Sequence, residues 1–582
     1  MKYLKFLLLS VLLLFLAACS SSIQSEEVQS KEYSASELMM ILHCQEMYMA
    51  GCEEYEGIEL TQDQIKQGCE VMPSMSMCTS EVKDTRDSDE TSMMGDIMYE
   101  GDKKSYNQFE MSTEGLSLAQ ESQVYNLKDG DSLDLSIDIV KKEIAGQKIR
   151  MFGYNGQIPG PLLRVKQDST IYVNVTNNLD METTVHWHGL RLDNENDGVP
   201  GSTMKSQQPG TSFEYMLDFP DEGIYWYHPH VREDIQQELG LYGNMLVDSK
   251  YSNYYNTVNK EIPLVVDDIS IQENGQVEPF YKNHTTKTLM GRFGNVMLVN
   301  GDDDYSMTFN KGEVVRFYVT NVANTRMFNF SIPGVQLKLI GADIGSYEKE
   351  EYVDYLIIAP SQRYTIEAYF RDAGEFELMH INPYKEYSMG SITVLDEKTQ
   401  QDYSLEFLSL RENSYVIEDI NNFREYFEKE VDVQIDLSVE MEMGSSMLDG
   451  LSEEEKIEHC EMMPQMSECS QYLDEDHEIH VAKFEWEDEM AMMNAMSTDE
   501  NINWILRDSI SQKENMDIDL DFNVGDKVKI RLYNDPNSAH PMQHPIHFHG
   551  QRFLVLEKDG EMSDNLVWKD TVLVPVGSSV DI

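Results

Sequence analysis

From residue 118 onward the chain is built of short runs in which apolar and polar positions alternate. Ser132-Leu-Asp-Leu-Ser-Ile-Asp-Ile139, Thr170-Ile-Tyr-Val-Asn-Val175 and Val314-Val-Arg-Phe-Tyr-Val319 are examples, with Gly, Asn, Asp and Pro between such runs. A period of two puts every second side chain on one face of a strand. Many short strands with frequent turn signals predict all-β sandwiches. The signature recurs over 118–250, 251–400 and 401–582, the last interrupted by an acidic, Met- and Cys-rich insertion at 440–496. Residues 19–117 are polar, acidic and Met-rich with no sustained strand pattern, which predicts a helical or partly disordered appendage.

The first 18 residues form a separate unit. Lys2 and Lys5 precede an apolar run from Phe6 to Leu16, then Ala17, Ala18 and Cys19. This reads as a secretory signal, too short to span a membrane with those flanks. Cys19 after Leu-Ala-Ala resembles a bacterial lipoprotein box, so the expectation is an extracytoplasmic protein held to a bacterial membrane by lipid on Cys19, in the periplasm or at the cell surface. A plain signal peptide is the alternative.

Export bears on the cysteines. Of seven, Cys19 goes to lipid and six remain, as Cys44 and Cys52, Cys69 and Cys78, and Cys460 and Cys469. An even number in an oxidising compartment suggests disulfides, closed locally or cross-paired between the first two segments. Each segment also carries Met and Glu; the third has Met462, Met463 and Met466. Soft sulfur ligands select Cu(I), although methionines also serve as plain packing. The net charge of −59 excludes a nucleic-acid surface and points to a solvated acidic face or to attraction of cations.

The sharpest chemistry lies in three His-x-His pairs: His186-Trp-His188, His228-Pro-His230 and His547-Phe-His549, with His544 just before the last. With 14 His in 582 residues, chance placement gives roughly 0.3 such pairs. Alternation along a strand presents both imidazoles of a pair to one site, and six from distant segments suggest a polynuclear centre of copper, zinc, iron or nickel. His284 and His380 stand alone and read as ordinary.

Together with Asn155-Gly-Gln-Ile-Pro-Gly-Pro161, Tyr225-Trp-Tyr, Ala359-Pro-Ser-Gln-Arg-Tyr364 and His544-Pro-Ile-His-Phe-His-Gly550, these residues resemble a three-domain multicopper oxidase of the copper-resistance or cuprous-oxidase type. The resemblance implies three cupredoxin-like Greek-key sandwiches and up to four copper ions in a full-length protein. It implies type 2 copper on His186 and His547, type 3 copper on His188, His228, His230 and His549, and type 1 copper on His544. Asp197 matches the acid that assists proton delivery to reduced oxygen. Substrate, Cu(I) or a small reductant, gives one electron at a time, and O2 is reduced to water. Met490, Met492, Met493 and Met496 lie where the family's cuprous oxidases lead Cu(I) toward the type 1 site.

One family motif is missing. His-Cys-His with a following His and Met does not occur, since no Cys follows Cys469 and no His follows His549. The expectation is therefore a chain truncated before that motif, with an incomplete third sandwich and no oxidase activity by itself. The other readings are a lipid-anchored, non-catalytic copper-sequestration protein and a laccase-like phenol oxidase. Copper nitrite reductase fits poorly, with three sandwiches and the pairs in the first and third.

Overall fold

The computed structural model describes residues 107–272, 274–441, 456–457 and 482–582. The signal segment, Cys19, most of the appendage, all six remaining Cys, and Met462, Met463 and Met466 lie outside the described residues.

Strands pair off into three groups of sheets. The first has a four-stranded sheet in the order Gln147–Tyr154, Ser132–Ile144, Thr170–Asn177, Ser212–Asp218. Its partner runs Val124–Asn126, Leu162–Lys166, Gly243–Asp248, Gly223–His228, His186–His188. Between them lie Leu135, Ile137, Val173, Val175, Trp187, Tyr215 and Tyr227, all fully buried, as the alternation requires. Burying one such side chain contributes about 1.5–3 kcal/mol. The second group pairs a six-stranded sheet around Glu313–Asn321 with a five-stranded sheet around Gly374–Ile381. The third has a six-stranded sheet around Ile530–Asn534 and two small ladders, His544–His547 with Thr571–Val574 and Phe553–Leu554 with Trp568–Lys569.

A repeated segment ties the three groups together. Leu162–Lys166 and Ser306–Lys311 each pair in parallel with a later strand, Gly243–Asp248 and Glu386–Lys398, and each is followed by a strand of the opposite sheet. Those following strands end at Asn177 and Asn321, and the third copy ends at Asn534. All three asparagines are buried, and each amide Nδ2 donates to two backbone carbonyls of neighbouring segments. Asn534 thereby holds Met542 O in the loop that leads to His544. The corresponding early part of the third copy departs from the other two. Residues 516–524 alternate apolar and polar positions but lie in no ladder among the described residues, and Leu520, Phe522 and Val524 are exposed.

Candidate metal centre

His186–His188 is the edge strand of its sheet and pairs antiparallel with Gly223–His228, setting His186 opposite His228, Trp187 opposite Tyr227 and His188 opposite Trp226. The two-residue period sends Trp187 into the sandwich core and the two histidines to the other face. His547 arrives on the ladder with Thr571–Val574, where it sits opposite Thr571. Six imidazoles converge. From the His186 ring, centroids lie at 4.2 Å for His549, 4.9 Å for His230, 5.4 Å for His228, 5.5 Å for His188 and 5.7 Å for His547. His188 stacks on His547 at 3.6 Å.

The expectation that each pair lies on one strand needs correction. Only His186 and His188 do; the strands carrying His228 and His547 end at those residues. Pro229 has no N–H to continue a ladder, so the chain leaves the sheet before His230. His549 precedes Gly550, which turns at φ +66°.

Side chains close together in three groups of possible ligand atoms: His186 with His547 and His549, His186 with His228 and His230, and His188 with His547 and Asp570, each within 4.8 Å. Second nitrogens fix the tautomers. The Nδ1 of His186, His228 and His547 each face a backbone carbonyl, of Asp197 at 2.7 Å, Pro229 at 2.9 Å and Asp570 at 2.8 Å. A carbonyl only accepts, so these Nδ1 carry protons and each Nε2 is left with a lone pair. His230 Nδ1 donates to Glu233 Oε1 at 2.8 Å and His549 Nδ1 to Asp197 Oδ2 at 2.9 Å. The Nε2 atoms of His186, His228, His230 and His547 are buried and make no hydrogen bond. His188 is reversed: its Nε2 faces Asp570 Oδ1 at 3.2 Å and Thr571 Oγ1 at 3.1 Å.

Burial keeps four of the six rings neutral. It lowers the His186 pKa to about 4 and that of His547 to about 3, and pushes His188 and His228 well below the usual value. Each buried acceptor without a partner costs about 1–3 kcal/mol. Neutral imidazoles with free, converging Nε2 lone pairs, those of His186, His228 and His547, are the donor set of a nitrogen-ligated transition metal. The residues present fit copper.

Asp197 belongs to the cluster. Its carboxylate lies between His549 and His186, the latter at 3.4 Å from Oδ1. Burial pushes its pKa up, but hydrogen bonds from His186 and His549 outweigh this and hold it well below the usual carboxylate range. The Asn-Asp-Gly turn must be tight here, because a Cβ on Gly198, at φ +80°, would stand 1.9 Å from Val185 O.

Other predicted residues lie elsewhere. His544 belongs to none of the three groups among the described residues; it sits edge-on to Trp504 at 5.2 Å, and burial lowers its pKa to about 4. Met493 is buried and Met490 half-buried, packed with Leu289, Met290, Val439 and Ile502. Met492 and Met496 lie on the short helix Ala491–Met496, which Asn494 pins to Gly291 O and Met290 N. His380 is a core histidine whose Nδ1 accepts from Asn329 N. Glu233, Asp570, Thr571 and Arg363 were not singled out from sequence. For Glu233 the available signal was its position three residues after His230; Arg363 stood inside a quoted motif without a role.

Comparison with known proteins decides the family. Multicopper oxidase profiles match residues 138–252, 226–385 and 485–582. The chain belongs to the multicopper oxidase family. Copper resistance protein A of Pseudomonas syringae pv. tomato is 26% identical over 291 residues, 43% of this chain and 47% of that protein. Multicopper oxidase mco of Staphylococcus aureus is 32% identical over 217 residues, 36% of this chain and 46% of that protein. The chain thus spans about half the length of the curated relatives it matches. A multicopper oxidase of Campylobacter jejuni described as a metallo-oxidase superposes with a TM-score of 0.56 at 20% identity, covering 81% of this chain and 92% of that one. Lac15 from a marine microbial metagenome does so with a TM-score of 0.51 at 26% identity, covering 77% and 92%. The all-β, cupredoxin-like architecture is that of these neighbours.

Proposed function

We propose that this member of the family is an extracytoplasmic copper oxidase that takes single electrons from Cu(I) and reduces O2 to water, in copper tolerance. The observation that carries the reading is the set of four buried, unpartnered imidazole nitrogens converging from two different sandwiches. His186 and His547 would hold the type 2 ion, His188, His228, His230 and His549 would supply type 3 ligands, and His544 would serve the separate type 1 ion. Copper bound there would supply one-electron redox chemistry. Oxidising four Cu(I) ions supplies the four electrons that, with four protons, turn one O2 into two waters. Domain limits at 118–250, 251–400 and 401–582 and lipid attachment through Cys19 belong to the same proposal. Among the described residues no helix is long and apolar enough to cross a membrane.

The chain's own residues hold the ligands and move protons. Carbonyl partners of Nδ1 lock His186, His228 and His547 with Nε2 free. Burial excludes water and keeps the rings neutral. Asp197 stays ionised beside His549 and relays protons toward reduced oxygen through Oδ1 and Oδ2. Asp197→Asn keeps an oxygen for the hydrogen bond from His549 and loses the carboxylate that can take up and release a proton. In the native protein it is expected to lower O2 uptake about 100-fold or more with copper content unchanged; uptake at the wild-type rate contradicts the role.

A role in copper tolerance is supported by the name of the Pseudomonas relative, and Cu(I) as substrate by the Met-rich segment that carries Met490, Met492, Met493 and Met496. Oxygen uptake by the native protein with Cu(I) and with a bulky phenol, before and after deletion of 440–496, tests it. Deletion is expected to slow Cu(I) oxidation and speed phenol oxidation. Unchanged Cu(I) oxidation without a gain toward phenol would exclude a substrate role for the segment.

A further inference from the structure

One fully buried ion pair joins all three sheet groups beside the histidine cluster. Arg363, from the second group, donates through Nη1 to Asp570 Oδ1 at 2.6 Å and through Nη2 to Asp570 Oδ2 at 2.5 Å. Both side chains are 0% exposed. The guanidinium is held in turn: Nε donates to Ile224 O of the first group at 2.9 Å and Nη1 to Ser361 O at 3.0 Å. Asp343 accepts from Arg363 N at 2.9 Å and pairs with Lys569 at 2.9 Å, bracing the residue next to Asp570. Gln362 Nε2 reaches Thr571 O at 3.4 Å.

Asp570 in turn faces two of the converging imidazoles. Its Oδ1 accepts from His188 Nε2 at 3.2 Å and from Thr571 Oγ1 at 2.8 Å, and its backbone carbonyl accepts from His547 Nδ1 at 2.8 Å. His-Trp-His-Gly ends in Gly189 for the same reason: a Cβ there, at φ +89°, would stand 2.3 Å from Asp570 Oδ2 and 3.1 Å from Arg363 Nη2. The turn after His188 is thus pressed against the ion pair.

We infer that Asp570, clamped by Arg363, is a positioning residue that sets the proton of His188 on Nε2 and fixes its ring against His547. A buried ion pair would seldom be selected for stability alone, since an apolar replacement is often as stable or more so. Here the fork has a geometric task. The guanidinium grips both carboxylate oxygens and so holds Oδ1, which also faces the imidazole, at a fixed place for its N–H. The second sheet group carries none of the six converging histidines, and through Arg363 it orders two of them.

Imidazole tautomers in the metal-free, 15N-histidine-labelled full chain test this. Long-range proton–nitrogen correlations are expected to place the His188 proton on Nε2, with His186, His228 and His547 protonated on Nδ1. Arg363→Lys and Asp570→Asn, checked for folding by near-ultraviolet circular dichroism, are expected to give His188 a mixed tautomer and leave His228 unchanged. Thr571→Val, which removes only the hydroxyl shared with His188, is the milder variant and is expected to shift the tautomer less. Copper affinity is expected to fall about 10–100-fold in the first two variants and to stay at the wild-type value in Thr571→Ser. That copper arm rests on the proposed copper centre, whereas the tautomers do not. A chain that binds no copper would sink the copper reading, with the tautomer result still deciding this one. A wild-type His188 protonated on Nδ1, or folded variants in which its proton stays on Nε2, would overturn the inference.

Discussion

His186→Ala is expected to strip copper from the histidine cluster. His186 is the ring common to two of the three ligand groups, so alanine leaves His547 with His549 and His228 with His230, two imidazoles each. Loss of an outer partner already costs about 10–100-fold in metal affinity, and loss of a shared ligand is expected to cost more than about 100-fold. The metal-free fold should change far less. Alanine leaves a small cavity and frees Asp197 O, but it also removes a buried Nε2 that has no partner, so the net change is about 2 kcal/mol or less. Copper per chain after dialysis, with a thermal melt of the metal-free protein, checks both halves. His544→Ala is the control, since His544 belongs to none of the three groups, and copper in the cluster should stay. An equal loss in both variants would mean that the groups are not separate sites.

Metal-free protein is expected to lose stability between pH 6.5 and about 4, above the range where most carboxylates titrate. Folding lowers the pKa of His186 from 6.5 to about 4 and of His547 to about 3, and holds His188 and His228 well below the ordinary value, in each case through burial. In that window the unfolded chain binds protons that the folded chain refuses, so stability falls as pH falls and the loss ends once the folded pKa is passed. At pH 5 His186 and His547 each account for about 2 kcal/mol, a sizeable part of the whole stability of a domain, and His188 and His228 add in the same direction. Relief of charge repulsion as the net charge shrinks toward the pI of 4.4 works in the other direction. Acid titration followed by tryptophan fluorescence checks this. Copper, to the extent that it binds the folded cluster more tightly than the unfolded chain, should move the midpoint to lower pH. A metal-free transition confined below pH 4, where Asp197 and its like take up protons, would contradict the neutral cluster.

Much of this was legible in the sequence, for identifiable reasons. Strands that bury one face alternate, so Ser132–Ile144 and Thr170–Asn177 announced themselves. The histidine pairs stood out because so few histidines occur elsewhere. That Asp197 is an acid beside the cluster was implied by family likeness; its contacts with His186 and His549 were not, and they follow from a tight turn that only Gly198 permits. What escaped was set by contacts between distant segments. Nothing local marks Asp570 or Arg363, because their meaning lies in a pairing 207 positions apart. Strand ends escaped for a local reason: the alternation of His228 with His230 persists across Pro229, although the ladder does not. Residues 516–524 show the reverse, an alternating pattern with no described strand beside it. The short helix Ser414–Asn421, capped by Asn413, was likewise unread within a span that patterned as sandwich.

Whether copper sits on the histidine cluster is read most directly by X-ray absorption at the copper edge on the copper-loaded chain, wild type beside His186→Ala. A first shell of imidazole nitrogen is expected, and it should disappear from the variant. A shell dominated by sulfur, with copper retained by the variant, would put the metal on the Met and Cys segments instead and make the protein a copper store.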